Sequence, residues 1–224
     1  MRQRTELHAA DQRCETLVVL LPPSLSSVDD FYDQGFVEAV HQRRLPVDLL
    51  LADTTGQHVI DQTVVTALHT EVILPAHTMG YRTIWMAGIS LGAFSALHYA
   101  AHHADGLAGL YLLAPYPGTG DVIAEIRAAG GAASWSRQQP STQDERAWWR
   151  WLVQESLKAE STTPVYFGTG NSDRFLNGQR LLSDLLPKER TRMLPGGHDW
   201  STWKALWEDW LDHGPLPSEA KPIQ

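Results

Sequence analysis

Short, uninterrupted apolar runs separated by longer helix-like stretches constrain this chain more than any other feature. The runs Thr16–Leu21, Val47–Leu51, Thr83–Gly88, Gly109–Leu113, Val165–Gly168 and Arg190–Leu194 are predicted strands. The strongest of them, LVVLL and LYLL, do not alternate apolar with polar residues. Strands covered on both faces read in this way. Between them, residues 29–43, 61–79, 91–103, 174–186 and 200–213 are predicted helices. Strand–helix alternation of this kind implies an α/β fold, with a mostly parallel central sheet and helices on both faces. At 224 residues, the chain suits one such domain with its own core.

Two helices carry clear boundary signals. Trp200, Trp203, Leu206, Trp207, Trp210 and Leu211 recur at helical spacing, and Gly214-Pro215 ends the run. Ser26-Ser27 precede the 29–43 helix as N-cap candidates. Residues 116–163 interrupt the rhythm, because nearly fifty residues separate two strands that a short connection could join. Thr142-Gln-Asp-Glu145 reads as a capping box before a helix bearing Trp148, Trp149 and Trp151. The stretch 116–163 is therefore expected to form a lid or cap inserted into a single domain spanning 1–224. The tail Gly214–Gln224, with three prolines, is expected to be a loose end.

Composition narrows the function. A net charge of −8 disfavours a nucleic-acid partner, whose affinity would come from neutralising phosphates. With Cys14 the only cysteine, no disulfide can form within the chain and no thiolate metal site is indicated. MRQRTELHAADQRC lacks the apolar core of a secretory signal, and no apolar run is long enough to span a membrane. A cytoplasmic protein with no membrane partner is expected.

The chemistry centres on Gly88-Ile89-Ser90-Leu91-Gly92. Chance supplies a bare G-x-S-x-G in roughly one chain in fifteen of this length, so the flanks carry the argument. RTIWMAGI before it reads as a strand and LGAFSALHYAAHH after it as a helix. That strand–turn–helix setting lifts a serine to the carboxyl end of the sheet, where open α/β sheets bind ligands. Glycines flank it because the turn leaves no room for side chains. The following helix directs its positive N-terminal end at the site.

A serine hydroxyl needs a base to take its proton, and a third group to orient that base. The motif's usual chain order is serine, acid, histidine. Only His198 and His213 follow the strand at 165–168. His213 closes a helix, whereas His198 lies in the loop LPGGHDW between a strand and a helix. For the acid, PVYFGTGNSD carries Asp173 directly after a strand, on the same rim as Ser90. Asp184 falls inside a helix, Glu189 opens a strand, and Asp199 is too close along the chain to reach round to the His198 imidazole. Asp199 is instead expected to cap the 200–213 helix. His98 and His102 have an i, i+4 spacing compatible with a metal, but no third ligand accompanies them. They and His103 are read as a solvated helix face, and no metal or cofactor is expected.

GISLG, GTGNSD and GGHDW, in this order, resemble the α/β-hydrolase superfamily over about residues 16–213. The ending GGHDWSTWKALW is similar to esterase D-like esterases. The resemblance implies a serine esterase with Ser90 as nucleophile, His198 as base and Asp173 as orienting acid. It also implies an oxyanion hole made by backbone N–H groups of Leu91 and of the loop after the first long strand. Relatives carry His-Gly there, whereas this chain has Pro22-Pro23-Ser24-Leu25. Proline has no N–H, so Ser24 is the first donor available. Leu25, Trp148 and Trp151 are expected to contact a small-molecule acyl ester. Thioesterase, amidase and acyltransferase chemistry share the same triad, and a non-catalytic binding homologue shares the fold.

Overall fold

The computed structural model describes residues 1–9, 12–54, 56–137, 144–158 and 160–218. Seven strands form one sheet: β1 (Gln3–Glu6), β2 (Thr16–Leu21), β3 (Asp48–Ala52), β4 (Thr83–Ile89), β5 (Gly109–Leu113), β6 (Val165–Gly170) and β7 (Thr191–Leu194). Their spatial order is β1-β3-β2-β4-β5-β6-β7, and every pair is parallel except β1 with β3. The six predicted strands are all present, with ends shifted by at most two residues. β1 was not predicted, since QRTE is polar and carries no apolar pattern. It forms by pairing its backbone along the edge strand β3, and its residues are half-buried or exposed.

Helices cover both faces, as continuous burial of β2 and β5 requires. Leu17, Val19 and Leu21 point into one core and Val18 and Leu20 into the other. The second core holds α1 (Asp30–Asp33), α2 (Phe36–Arg43) and α11 (Trp200–His213). On α11 the predicted stripe faces inward, with Trp203, Leu206, Trp207, Trp210 and Leu211 buried. Trp210 stacks on Tyr111 at 4.7 Å, and the Tyr111 hydroxyl donates to the Leu206 carbonyl at 2.6 Å. The first core holds α4 (Val64–Ala67), α5 (Leu74–Thr78), α6 (Leu91–His103), α7 (Gly120–Ala128), α8 (Ala132–Ser136), α9 (Arg146–Ser156) and α10 (Leu176–Ser183).

Several predicted elements need correction. The 29–43 helix is two helices, because Gly35 sits at φ +72° between them. Ser27 does hold the entry: its hydroxyl accepts from Asp29 N–H, and its own N–H donates to the Asp30 carboxylate at 2.7 Å. The 61–79 helix starts at Val64, behind a separate turn of helix, α3 (Gly56–Ile60), and widens into π turns over Leu68–Ile73. Thr142 of the expected capping box lies outside the described residues. Glu145 does not sit within the first turn as the box requires. It immediately precedes α9, and its carboxylate takes the Thr119 N–H and hydroxyl at 3.0 and 2.7 Å. In the tail, Leu216 packs on the second core instead of hanging free, and Pro222 lies outside the described residues.

The described helices within 116–163 largely belong to the sheet-covering layer. α9 is the crossover helix between β5 and β6, and it packs against α6. Its Trp148, Trp149, Leu152 and Val153 are buried in the first core.

The sheet order also positions the site. After the edge strand β1, the chain enters the parallel part of the sheet at β2, moves outward to β3, then returns across β2 to β4. Ligands of open α/β sheets bind at such a reversal, outside the carboxyl ends of the strands. Ser90 follows β4 there, and the Pro22–Leu25 loop follows β2 beside it, since Leu21 pairs with Gly88.

Candidate active site

Ser90 stands between β4 and α6 at φ +51°, ψ −107°, a conformation that costs an L-residue of order 1–3 kcal/mol. Its surroundings hold it there. Its N–H donates to the Leu113 carbonyl at 2.9 Å, and its own carbonyl accepts from Phe94 and Tyr116 N–H, each at 3.1 Å. The flanking glycines are required sterically. A Cβ on Gly88 would overlap the backbone of Gly92 and Ala93, and one on Gly92 would overlap the Leu21 carbonyl.

Asp173 follows β6 in a turn closed by its own N–H donating to the Gly170 carbonyl. Gly170 in turn lies against the backbone of Gly196 and Gly197, so the loop carrying His198 is set down directly on the end of β6. The Asp173 side chain has no exposed surface. Its Oδ1 accepts from Phe175 N–H at 2.8 Å and its Oδ2 lies 2.7 Å from His198 Nδ1. His198 Nε2 lies 2.9 Å from Ser90 Oγ. An ionised carboxylate only accepts, so the tautomer with its proton on Nδ1 satisfies both contacts and leaves Nε2 to accept from the serine. Phe175 and Trp203 meet the imidazole edge-on at 4.9 and 5.0 Å and fix its plane.

Asp199, the neighbour of His198, turns the other way. Its Oδ1 accepts from Thr202 N–H at 3.0 Å and from the Ser201 hydroxyl at 2.6 Å, capping α11. These bonds, with Ser201 the largest, hold its carboxyl below the usual range. His213 Nδ1 lies 3.0 Å from the Asp209 carbonyl within α11, where it can act only as the donor.

The remaining predicted site residues divide. Leu91 opens α6 directly after Ser90. Pro22 and Pro23 are buried, Ser24 is exposed in the turn after them, and Leu25 is fully exposed at φ +62°. Trp148 is corrected from a substrate contact to a core residue. It has no exposed surface, stacks on Trp149 at 4.7 Å and meets Phe94 edge-on at 6.1 Å. Trp151 is half-buried against the same core. The helix-face reading also fails for His98, which is 8% exposed and packs 4.6 Å from Phe94. Burial pushes its imidazole down to about 4, so it is neutral near pH 7.

Sequence reasoning missed the aromatic wall beside Ser90. The Phe94 ring lies 5.6 Å from Tyr116, and Tyr116 lies 5.3 Å from Phe175, which faces His198. Phe94 was within reach, being one helical turn after Ser90. Tyr116 and Phe175 lie in connections that carry no periodic signal. Among the described residues, no group of three or more His, Cys, Asp or Glu could hold a metal ion, and no helix is long and apolar enough to cross a membrane.

Comparisons with known proteins agree with this architecture. The chain is similar in structure to S-formylglutathione hydrolase (FrmB) from Staphylococcus aureus, at TM-score 0.63 and 14% identity over 90% of this chain and 81% of that one. It is also similar to Est1E from Butyrivibrio proteoclasticus, at TM-score 0.61 and 16% identity, covering 95% and 93% of the two chains. A third likeness is to a monoacylglycerol lipase of Paleococcus ferrophilus, at TM-score 0.57 and 13% identity, covering 95% and 98%. No curated protein sequence matches the chain. A family model described as "Putative esterase" matches residues 57–211, well over half of the sequence. The chain therefore belongs to this esterase family, and is a carboxylic ester hydrolase built on the α/β-hydrolase fold.

Proposed function

We propose that the protein cleaves carboxylic esters of small molecules through a covalent acyl-enzyme, with Ser90 as nucleophile, His198 as general base and acid, and Asp173 orienting the imidazole. The observation that carries this reading is the unbroken hydrogen-bond chain from Asp173 through His198 to Ser90. Ser90 Oγ attacks the ester carbonyl while His198 Nε2 takes the hydroxyl proton. Charge collects on the carbonyl oxygen, where the N–H groups of Leu91 and Ser24 stabilise it. The positive end of α6 adds to the same field. The intermediate collapses, the ester C–O bond breaks, and the imidazolium returns its proton to the departing alcohol. Water then enters, gives a proton to His198 and attacks the acyl carbon, and breakdown of that second intermediate restores Ser90. Asp173 holds the proton on Nδ1 and supports the charged imidazole throughout.

The proposed substrate wall is the ring series Phe94, Tyr116 and Phe175, with Leu25 at the mouth. Among the described residues of 116–163, Tyr116 reaches the nucleophile turn, its N–H donating to the Ser90 carbonyl. The test is a fluorophosphonate probe with mass mapping of the adduct. Stoichiometric labelling of Ser90, abolished in Ser90→Ala, is expected. Labelling at another serine, or none on folded protein, overturns the reading.

A further inference from the structure

Outside the triad, the feature with the most unexplained chemistry is a cavity of about 270 Å³ beside α6. Its described lining includes Phe94, His98 and His102 from α6, Val64 from α4, and Asp144 and Glu145 ahead of α9. Ser90, Phe94, His98 and His102 follow one another at i+4 spacing, so they form one ridge along α6. His98 lies roughly 12 Å along the helix from Ser90, at 1.5 Å per residue. Phe94 is the residue that the cavity lining shares with the aromatic wall. Its ring packs against His98 at 4.6 Å on one side and Tyr116 at 5.6 Å on the other, and Tyr116 is hydrogen-bonded to the Ser90 carbonyl.

Two of the polar groups in this cavity, His98 and Glu145, are left with capacity to spare. His98 is over nine-tenths buried, yet its ring nitrogens have no hydrogen-bond partner among the described residues. The buried side chains of Asp48, Gln179 and Thr169 are engaged, whereas the indole N–H groups of Trp148, Trp203 and Trp210 are buried without a partner among the described residues. Glu145 spends Oε1 on Thr119 and has no cationic partner among the described residues. The Asp144 charge, by contrast, is matched by Arg146 at 2.6 Å.

The geometry points to this cavity as the subsite for the remote end of the substrate, one that takes a chain tipped with hydrogen-bond donors, a hydroxyl or an ammonium, and rejects a carboxylate. This deepens the esterase reading and rests on it. The aromatic wall carries the apolar stem away from Ser90, and His98 receives the tip. Because the imidazole stays neutral, it can accept from a hydroxyl through one nitrogen and donate through the other. The free oxygen of Glu145 accepts from either tip and attracts the ammonium further. A terminal carboxylate would meet Glu145 with no cation to offset the repulsion.

The test compares p-nitrophenyl esters of octanoic, 8-hydroxyoctanoic, 8-aminooctanoic and octanedioic acid, read as kcat/KM relative to the unsubstituted chain. The hydroxyl and amino tips should gain about five- to tenfold, the worth of one or two net hydrogen bonds, mostly through KM. The carboxylate tip should lose by a similar factor. His98→Phe should collapse the hydroxyl preference towards unity. Glu145→Gln keeps an oxygen for Thr119 and should collapse the amino preference alone, which separates the two tips. Equal efficiency on all four chains, or preferences unchanged in His98→Phe, overturns the subsite and leaves the chemistry at Ser90 standing. Failure to hydrolyse any ester overturns the esterase reading instead. Binding then decides the cavity, with 8-hydroxyoctanamide and 8-aminooctanamide titrated into the Ser90→Ala protein. Movement of the His98 imidazole resonances supports the subsite, and their invariance refutes it.

Discussion

Replacing Asp173 by Asn keeps the shape of the side chain and changes only what its two arms can do. In the native site both arms accept: Oδ1 from Phe175 N–H at 2.8 Å and Oδ2 at 2.7 Å from His198 Nδ1. An Asn has one acceptor and one donor arm. If its oxygen faces His198, its NH2 meets the Phe175 N–H, two donors head to head in a buried site. That mismatch costs about 1–3 kcal/mol. If it flips, its NH2 faces Nδ1, which must then accept, and the imidazole proton moves to Nε2. A base with its proton already aimed at Ser90 cannot take another. The flipped form is favoured by the same 1–3 kcal/mol, which removes about 5- to 150-fold of activity at 1.36 kcal/mol per tenfold. Loss of the carboxylate charge beneath the developing imidazolium adds to this, and the total approaches the roughly 10⁴ known for such a change in a serine-protease triad. Asp199→Asn is the control. Asn caps a helix about as well as Asp, and the Asp199 carboxylate is engaged by Ser201, Thr202 and the Gly197 backbone. Steady-state kinetics on a p-nitrophenyl ester, with thermal unfolding to verify both folds, should show kcat falling by about 10²–10⁴ in Asp173→Asn and little change in Asp199→Asn. A folded Asp173→Asn protein within tenfold of wild type, or a slower Asp199→Asn, would refute the assignment.

Three further outcomes follow from the packing. Trp148→Ala should cost about 3–5 kcal/mol of stability and lower activity on short and long esters alike, because the ring fills the core and touches no solvent. Chemical denaturation checks the first part, and a chain-length-dependent loss would return Trp148 to the substrate. Ser24→Pro removes the second proposed oxyanion donor and should lower kcat by about 10²–10³ with less effect on KM, whereas Ser24→Ala keeps the N–H and should be mild. A folded Ser24→Pro enzyme of normal kcat would move the donor elsewhere. Finally, His98 is held neutral by burial, with its folded value near 4 and its ordinary value at 6.5. The unfolded chain therefore binds the proton first, and native stability should drop as pH falls from about 6.5 towards 4. Denaturation against pH should show a shallower drop in His98→Phe, and identical slopes would contradict the burial argument.

What the sequence revealed was whatever rests on local pattern. β2 and β5 are buried at every position because both faces are covered, which shows as the unbroken runs LVVLL and LYLL, and α11 announces its buried side through tryptophans at helical spacing. The three residues of the hydrogen-bond chain were legible because each sits where a strand ends, and strand ends are visible as breaks in apolar runs. What depended on distant partners was not legible. Nothing in QRTE marks a strand, since β1 exists only by borrowing the edge of β3. Trp148 and His98 were both misread for one reason: spacing shows which residues share a helix face, but not what that face meets. α9 buries its tryptophans against α6, and α6 turns His98 into a cavity closed partly by residues nearly fifty positions further along the chain.

The contact of Gly92 with the end of β2 has an evolutionary consequence. No side chain intervenes between the α6 backbone and the Leu21 and Pro22 carbonyls. The serine and the loop that follows β2 are thus registered main chain to main chain, so substitutions elsewhere leave their spacing unaltered. The groups that would receive the distal part of a substrate, from Phe94 to Glu145, are all side chains on helices or connections. Change in a chain built this way is therefore expected to be partitioned. The reacting geometry is frozen by two glycines, while the wall and cavity beyond it can be recast residue by residue. A protein built this way can exchange one ester for another without first losing the ability to cleave either.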